Sequence, residues 1–286
     1  MKLAGRTALI TGAGSGIGRA AAIEAARRGM TVALLGRRIE RLRETQRAIG
    51  NGVDHLVIQA DVTDPTARRA VRNQVAVRWG HLDVLVNCAG IVDAGPLNEI
   101  DDAALTRLVA TNVVAPLALT RELCPLLRAA SPSRVVNVGS MLGDIAYPLF
   151  SAYSASKFAL RGLSNALRRE LQGFDVGVTL VSPRGAQTET TAAIARFIEP
   201  MGMTLDEPGE IAHQLWNAVE RGRDNAYPGL RERLYVLIER LFPAIIDNAL
   251  SVQMATSGLS HFIQQSAQYE PLAMPASEPS NVRNQP

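Results

Sequence analysis

Three side chains able to move a proton sit close together past the middle of the chain. Ser140 ends the run Val138-Gly-Ser140, and Tyr153-Ser-Ala-Ser-Lys157 follows. Tyr153 and Lys157 are four residues apart, so on a helix they lie one above the other on a single face. An ammonium beside a phenol favours the phenolate, which predicts a Tyr153 pKa lowered toward the working pH. A phenol tuned that way is a general acid or base for interconverting a carbonyl and an alcohol. Ser140 could hold the substrate oxygen while Tyr153 moves the proton. A lone Tyr-x-x-x-Lys is also common as a half-buried ring beside a solvated lysine, so the pair gains weight only from its surroundings.

Those surroundings are regular. Residues 151–171 read as a helix, with Phe158, Leu160, Leu163, Leu167 and Leu171 as its apolar positions, and 134–140 read as a strand. At the other end of the chain, residues 6–11 form an apolar run. Gly12-Ala-Gly14-Ser15-Gly16-Ile17-Gly18 follows at once, then a helix over 19–28. Strand, glycine loop and helix in that order make a dinucleotide cradle: the glycines permit close backbone approach, and the helix start offers N–H groups to phosphates. The second strand, 31–35, ends in Gly36-Arg37-Arg38 with no acid. An acid there would bond a ribose 2′-hydroxyl, whereas an arginine accommodates a 2′-phosphate. The expectation is NADP(H), with NAD(H) possible. The bland alternative is that both arginines only start the next helix.

Strands are expected again at 54–60, 83–87, 176–181 and 224–227. Asp64-Pro65 opens the intervening helix to Trp79. This alternation predicts an α/β fold: a doubly wound parallel sheet of about seven strands with helices on both faces. Gly12, Asp61, Asn87, Ser140 and Pro183 all lie just past strand ends, where such sheets bind ligands. A helix over 101–129 is apolar on more than one side, which predicts a homo-oligomer, a homodimer or homotetramer. Asn112 within it is either a satisfied core amide or part of a proton relay. Residues 184–207 lose periodicity and read as a substrate lid. Residues 230–250 form a helical extension broken at Pro243, able to cap the pocket, meet another subunit or rest on a membrane. Glu232, Glu239 and Asp247 rank the membrane last. Residues 1–250 thus make one catalytic domain, and 251–286 a partly disordered tail.

Composition narrows the class. The chain has 286 residues, 47% of them hydrophobic, enough for one large core. A net charge of +3 is too mild and too evenly spread to argue for nucleic acid. Cys88 and Cys124 suggest reduced thiols in a cytoplasmic protein, and no signal peptide is visible. No apolar run of about 18 residues is seen, so no membrane span is expected. His55, His81, His213 and His261 are scattered and hold no metal spacing.

Taken together, Thr11-Gly-x-x-x-Gly-Ile-Gly18, Asp61-Val62, Asn87-Cys-Ala-Gly90, Thr111-Asn112, Val138-Gly-Ser140, Tyr153-x-x-x-Lys157 and Ser182-Pro183 with Thr188 resemble the classical short-chain dehydrogenase/reductase family, over residues 3–227. The resemblance implies a Rossmann-type fold and a catalytic tetrad of Asn112, Ser140, Tyr153 and Lys157. Lys157 would hold the nicotinamide ribose, and Asn112 a relay water. Asp61 would meet the adenine. Asn87, Ala89 and Gly90 would line the adenosine side, with Pro183 and Thr188 bordering the nicotinamide. Two positions depart from the pattern: Cys88 replaces a second asparagine, and Arg184 stands where a glycine usually follows the proline. Either Gly185 takes over that role or Arg184 reaches the substrate.

The expected function is an NADP(H)-dependent oxidoreductase interconverting a ketone or aldehyde and an alcohol. Apolar lid residues Ile194, Phe197, Ile198, Met201 and Met203, with Leu234, Val236, Leu237 and Phe242 further on, suit a lipid-like substrate; the alternative is that they are ordinary core or oligomer contacts. A dinucleotide-sensing or scaffold protein on the same fold is the alternative.

Overall fold

The computed structural model describes residues 1–50, 55–192 and 194–260. Its centre is a parallel sheet ordered β3-β2-β1-β4-β5-β6-β9. The strands are β1 (Thr7–Thr11), β2 (Thr31–Gly36), β3 (Leu56–Gln59), β4 (Val84–Asn87), β5 (Ser133–Val138), β6 (Val176–Val181) and β9 (Asn225–Ala226). Helices α1 (Gly16–Arg27), α2 (Ile39–Ile49) and α3 (Pro65–Trp79) return the chain between the early strands. Helices α5 (Ala115–Ala129), α6 (Ser151–Leu171) and α9 (Pro208–Glu220) do so between the later ones. Asp64 caps α3 by accepting from the Thr66 N–H at 2.8 Å.

Alternation along the buried strands splits the core in two. On β1, Ala8 and Ile10 face a layer built with Ala21, Ala22 and Ala25 of α1 and Leu215 and Trp216 of α9. Leu9 faces the other layer, with Val71 and Val75 of α3, Leu119 and Leu123 of α5, and Leu167 of α6. A sheet covered on both faces needs near-continuous apolar strands, and β1, β4 and most of β2 are fully buried. The chain runs from β1 outward to β3, then returns to β4 beside β1. That reversal opens a crevice at the carboxyl ends of the strands.

The expected 101–129 helix is α4 (Asp102–Val109) and α5 joined by a π turn, Ala110–Val114, with Asn112 inside it. The expectation that nothing is apolar enough to span a membrane needs correction. Asp102–Ala129 passes by length and composition, with a mean hydropathy of 1.4. Packing of Leu119, Leu123, Leu126 and Leu127 into the core accounts for much of that apolarity.

The lid is more regular than its sequence suggests. β7 (Gly185–Ala186) pairs in parallel with β8 (Leu205–Asp206), and one-turn helices α7 (Glu189–Ala192) and α8 (Ala195–Ile198) lie between them. The extension forms α10 (Leu230–Leu241) and α11 (Pro243–Thr256), broken at Pro243 as expected. α11 carries the ordered chain past 250, and Leu259 is buried. The expected tail beyond 260, and Asp54 at the start of the third strand, lie outside the described residues.

Candidate active site

One cavity of about 920 Å³ runs from the glycine loop to the Ser140–Tyr153–Lys157 wall. Every residue expected to touch the cofactor lines it except Asn87. Strand β5 delivers Ser140, whose Oγ accepts from the Leu142 N–H at 3.1 Å and caps a short 3₁₀ turn, Met141–Gly143. Helix α6 presents Tyr153 and Lys157 one turn apart, as the spacing predicts. Lys157 is buried and its Nζ donates to the Val138 carbonyl at 3.0 Å.

The electrostatics differ from the expectation at one point. Burial pushes the Tyr153 phenol up to about 12, and its hydrogen bond with the Ser140 side chain only partly opposes this. The lysine does not offset the burial. Its Nζ lies 5.6 Å from the ring centroid and is itself desolvated, so the Lys157 ammonium is pushed down to about 8. Desolvation thus disfavours both charged forms and holds Tyr153 protonated. Burial likewise pushes the Cys88 thiol up to about 12, which leaves it an inert small side chain.

Asn112 stands behind this wall. Its Nδ2 donates to the Ile91 carbonyl at 2.9 Å and to Ser156 Oγ at 3.0 Å, and its Oδ1 accepts the Ile91 N–H at 2.9 Å. The side chain is therefore a satisfied amide that fixes the strand end after Gly90, not a free ligand for water. The π turn around it withdraws a main-chain carbonyl from the usual helical ladder. Asn87 is the second displaced expectation: its Nδ2 donates to Thr120 and Asn137 at 3.1 and 2.9 Å, inside the core.

At the other end, the glycine loop fits a dinucleotide phosphate. A Cβ on Gly18 would stand 2.3 Å from the Gly12 carbonyl oxygen, so only glycine lets α1 begin this close to β1. No side chain caps α1, leaving its first N–H groups for an anion. Thr188 lies directly over this loop, and a Cβ on Gly16 would meet its methyl at 2.8 Å. Arg37 and Arg38 are exposed at the cavity rim. Arg38 pairs with Glu189 of the lid at 3.1 Å, and Arg41 reaches the same carboxylate at 3.3 Å. Burial raises the Asp61 carboxyl, but the Thr63 N–H and hydroxyl, with Arg37 nearby, hold it below its ordinary value.

Several functional contacts had no local signal. Arg184 donates twice to Asp206, at 2.6 and 3.1 Å, and once to Glu232 at 3.1 Å. The guanidinium joins the lid base to α10, while Gly185 begins the short β7 strand. Asp144 is a buried hub. Ser182 and Tyr227 donate to it at 3.1 Å each, and Arg240 and Arg161 approach it at 3.2 and 3.3 Å. It therefore ties the Ser140 turn to α6, β6 and α10. The outer cavity wall is apolar: Phe150, Ile194, Met201 and Met203 line it with Tyr147 and Tyr153, and Phe197, Met254 and Leu259 belong to the same packed cluster without lining the cavity. Gln253 of α11 pins this wall by donating to the Met201 carbonyl at 2.7 Å and accepting from Tyr147.

The chain's likeness to known proteins agrees with this geometry. Residues 6–198 match the family model for short chain dehydrogenases. The chain is similar to 3-ketodihydrosphingosine reductase of Mus musculus, 31% identical over 242 residues, covering 80% of this chain and 73% of the relative. A gluconate 5-dehydrogenase from Beutenbergia cavernae with bound NADP superposes with a TM-score of 0.70 at 32% identity, over 79% of this chain and 96% of that one. A short chain dehydrogenase/reductase from Burkholderia phymatum in complex with NAD gives a TM-score of 0.77 at 22% identity, over 84% and 94%. The chain belongs to the short-chain dehydrogenase/reductase family of oxidoreductases, and its cofactor is a nicotinamide dinucleotide.

Proposed function

We propose that the protein interconverts an apolar ketone or aldehyde and the corresponding alcohol, using NADP(H), with Tyr153 as acid and base. The observation carrying this reading is the placement of Ser140, Tyr153 and Lys157 on one wall of the cavity that begins at the glycine loop. The bound nicotinamide would supply or accept the hydride. Ser140 would hold the substrate oxygen. Tyr153, kept protonated by burial, is set to donate to that oxygen in the reducing direction. Lys157 is held against the Val138 carbonyl beneath the ring, where its charge would stabilise a transient phenolate. Asn112, whose side-chain amide is already satisfied, would hold a relay water on the proton's path through its main-chain carbonyl.

Preference for NADP(H) rests on Arg37 and Arg38 and on the absence of an acid at the end of β2. The apolar substrate rests on the wall of Phe150, Ile194, Met201 and Met203, together with the lipid ketone named in the mouse relative. Leu105, Val109, Val114, Leu117 and Phe158 remain exposed on α4 to α6, an apolar face suited to a second copy. Free Cys88 and Cys124 accord with a reducing cytoplasm.

The test is Tyr153→Phe. We expect turnover of NADPH with a panel of long-chain and steroid-like ketones to fall at least about 10²-fold. NADPH binding by fluorescence should change less than about threefold, because Tyr153 is one of many expected cofactor contacts and the glycine loop, Arg37, Arg38 and Lys157 are untouched. Retained turnover would refute the assignment of the proton to Tyr153.

A further inference from the structure

Among the described residues, α10 and α11 leave a large apolar surface uncovered. Leu230, Leu234, Leu237 and Leu241 recur at spacings of four, three and four, so they form one stripe along α10. Their exposures run from 51% to 81%. Phe242, Ile245 and Val252 continue the exposed apolar surface past Pro243 onto α11. Isolated exposed leucines need no explanation, whereas a contiguous patch on one helical pair marks an interaction site.

The charges are sorted around this stripe. At about 100° per residue, Arg231 and Arg233 flank its centre on opposite sides, roughly 70–90° away, while Arg240, beside Arg233, reaches inward to the buried Asp144. Glu232 and Glu239 fall on the opposite, inward face. Glu232 is buried and paired with Arg184. Glu239 is half-buried, and burial, with the like charge of Asp247 on α11 added, raises its pKa. The acids that argued against a membrane in the sequence are therefore turned inward or toward one another, and the outward face is leucine with arginine borders. Such a face fits the interface plane of a bilayer bearing anionic headgroups. A symmetric contact with a second copy fits less well, because it would bring the arginine borders against each other.

The patch also adjoins the cavity. Arg231, Glu232 and Tyr235 of α10 line its mouth, and Gln253 of α11 holds the lid at Met201. We propose that the α10–α11 face docks on an anionic lipid surface, bringing the cavity mouth to the bilayer so that an apolar ketone enters from the membrane. The entry of substrate rests on the function proposed above, but the docking does not, and the two are tested separately.

The experiment is co-sedimentation of the full chain with vesicles of 70% phosphatidylcholine and 30% phosphatidylserine, against pure phosphatidylcholine. Binding is expected to the anionic vesicles and to weaken in 0.5 M salt. Each of Arg231→Ala and Arg233→Ala should reduce it about fivefold, the worth of one arginine near such a surface. Leu234→Glu with Leu237→Glu should abolish it. These two side chains are exposed and do not line the cavity, so turnover of a water-soluble carbonyl should stay at the parent level in that variant. Equal sedimentation of parent and double variant would overturn the proposal, as would no binding by the parent. A solution mass that falls by half in the double variant would assign the patch to a subunit contact instead. Vesicle binding with no turnover of any ketone would leave the docking standing and remove only the function proposed above.

Discussion

Gly143→Ala tests whether the Ser140 turn and the Tyr153 helix act as one rigid unit. Gly143 ends the 3₁₀ turn that Ser140 caps, and it packs flat against α6. A Cβ there would stand 2.8 Å from the Lys157 carbonyl carbon and oxygen and 2.9 Å from the Lys157 Cβ. Ordinary contact begins near 3.4 Å, so turn and helix must part by about 0.6 Å. Both neighbours are backbone or lie next to it, so no flexible side-chain end can absorb the displacement. Overpacking of this kind costs about 1–3 kcal/mol, which lowers Tm by several degrees in a domain of this size. The same displacement separates Ser140 from Tyr153. Since a misplacement of about 1 Å costs about 10²-fold, kcat should fall at least about tenfold. The KM for NADPH should move little, because the glycine loop is remote from the turn. Gly162→Ala is the control: it lies on the same helix with nothing within 4 Å of a new Cβ, and should raise stability by up to about 1 kcal/mol. Steady-state kinetics and thermal melts of both variants decide the matter. A Gly143→Ala protein with parental kcat would refute the coupling, even if its Tm fell.

Three further outcomes follow from the same cavity. Burial pushes the Lys157 ammonium of the folded chain down to about 8, from the ordinary lysine value of about 10.5. Between those values the unfolded chain binds a proton that the folded chain does not, so stability rises with pH across that window. Urea melts of the cofactor-free protein should show the parent gaining about 2 kcal/mol more than Lys157→Met between pH 7 and 9.5; parallel curves would show that the ammonium is not desolvated. At the other end of the cavity, Arg38→Ala should raise the KM for NADPH several-fold and leave that for NADH unchanged. Glu189→Gln should lower the KM for NADPH by up to about fivefold, because an exposed competing carboxylate is removed from Arg38 and Arg41. An Arg38→Ala variant equally affected with both cofactors would withdraw the 2′-phosphate reading.

What the sequence made legible was whatever is encoded over a few neighbouring residues. Apolar runs and strand–helix alternation placed all seven strands of the main sheet to within two residues and α6 at its observed limits, because a parallel sheet writes its burial directly into apolar runs. The Ser140, Tyr153 and Lys157 wall was legible for the same reason: a strand end and one helical turn fix it. Features joining residues far apart in the chain were not. Arg184 stood out as an odd residue after Pro183, yet its role depends on Asp206 and Glu232, 22 and 48 positions away. Asp144 drew no notice, since its partners come from four separate segments. The direction of the Tyr153 shift was misjudged because spacing reveals a neighbouring ammonium, whereas desolvation depends on the whole enclosure, and here enclosure dominates.

The acids of α10 show the same limit most plainly. Counted in sequence, Glu232 and Glu239 offset two of the three arginines of α10. Once the helix is docked, Glu232 is neutralised by Arg184 and Glu239 is turned inward, and the outward face is left basic and apolar. A net charge summed over a helix therefore cannot decide what its surface will bind. The sum that matters runs over the outward residues alone, and the fold determines which residues those are.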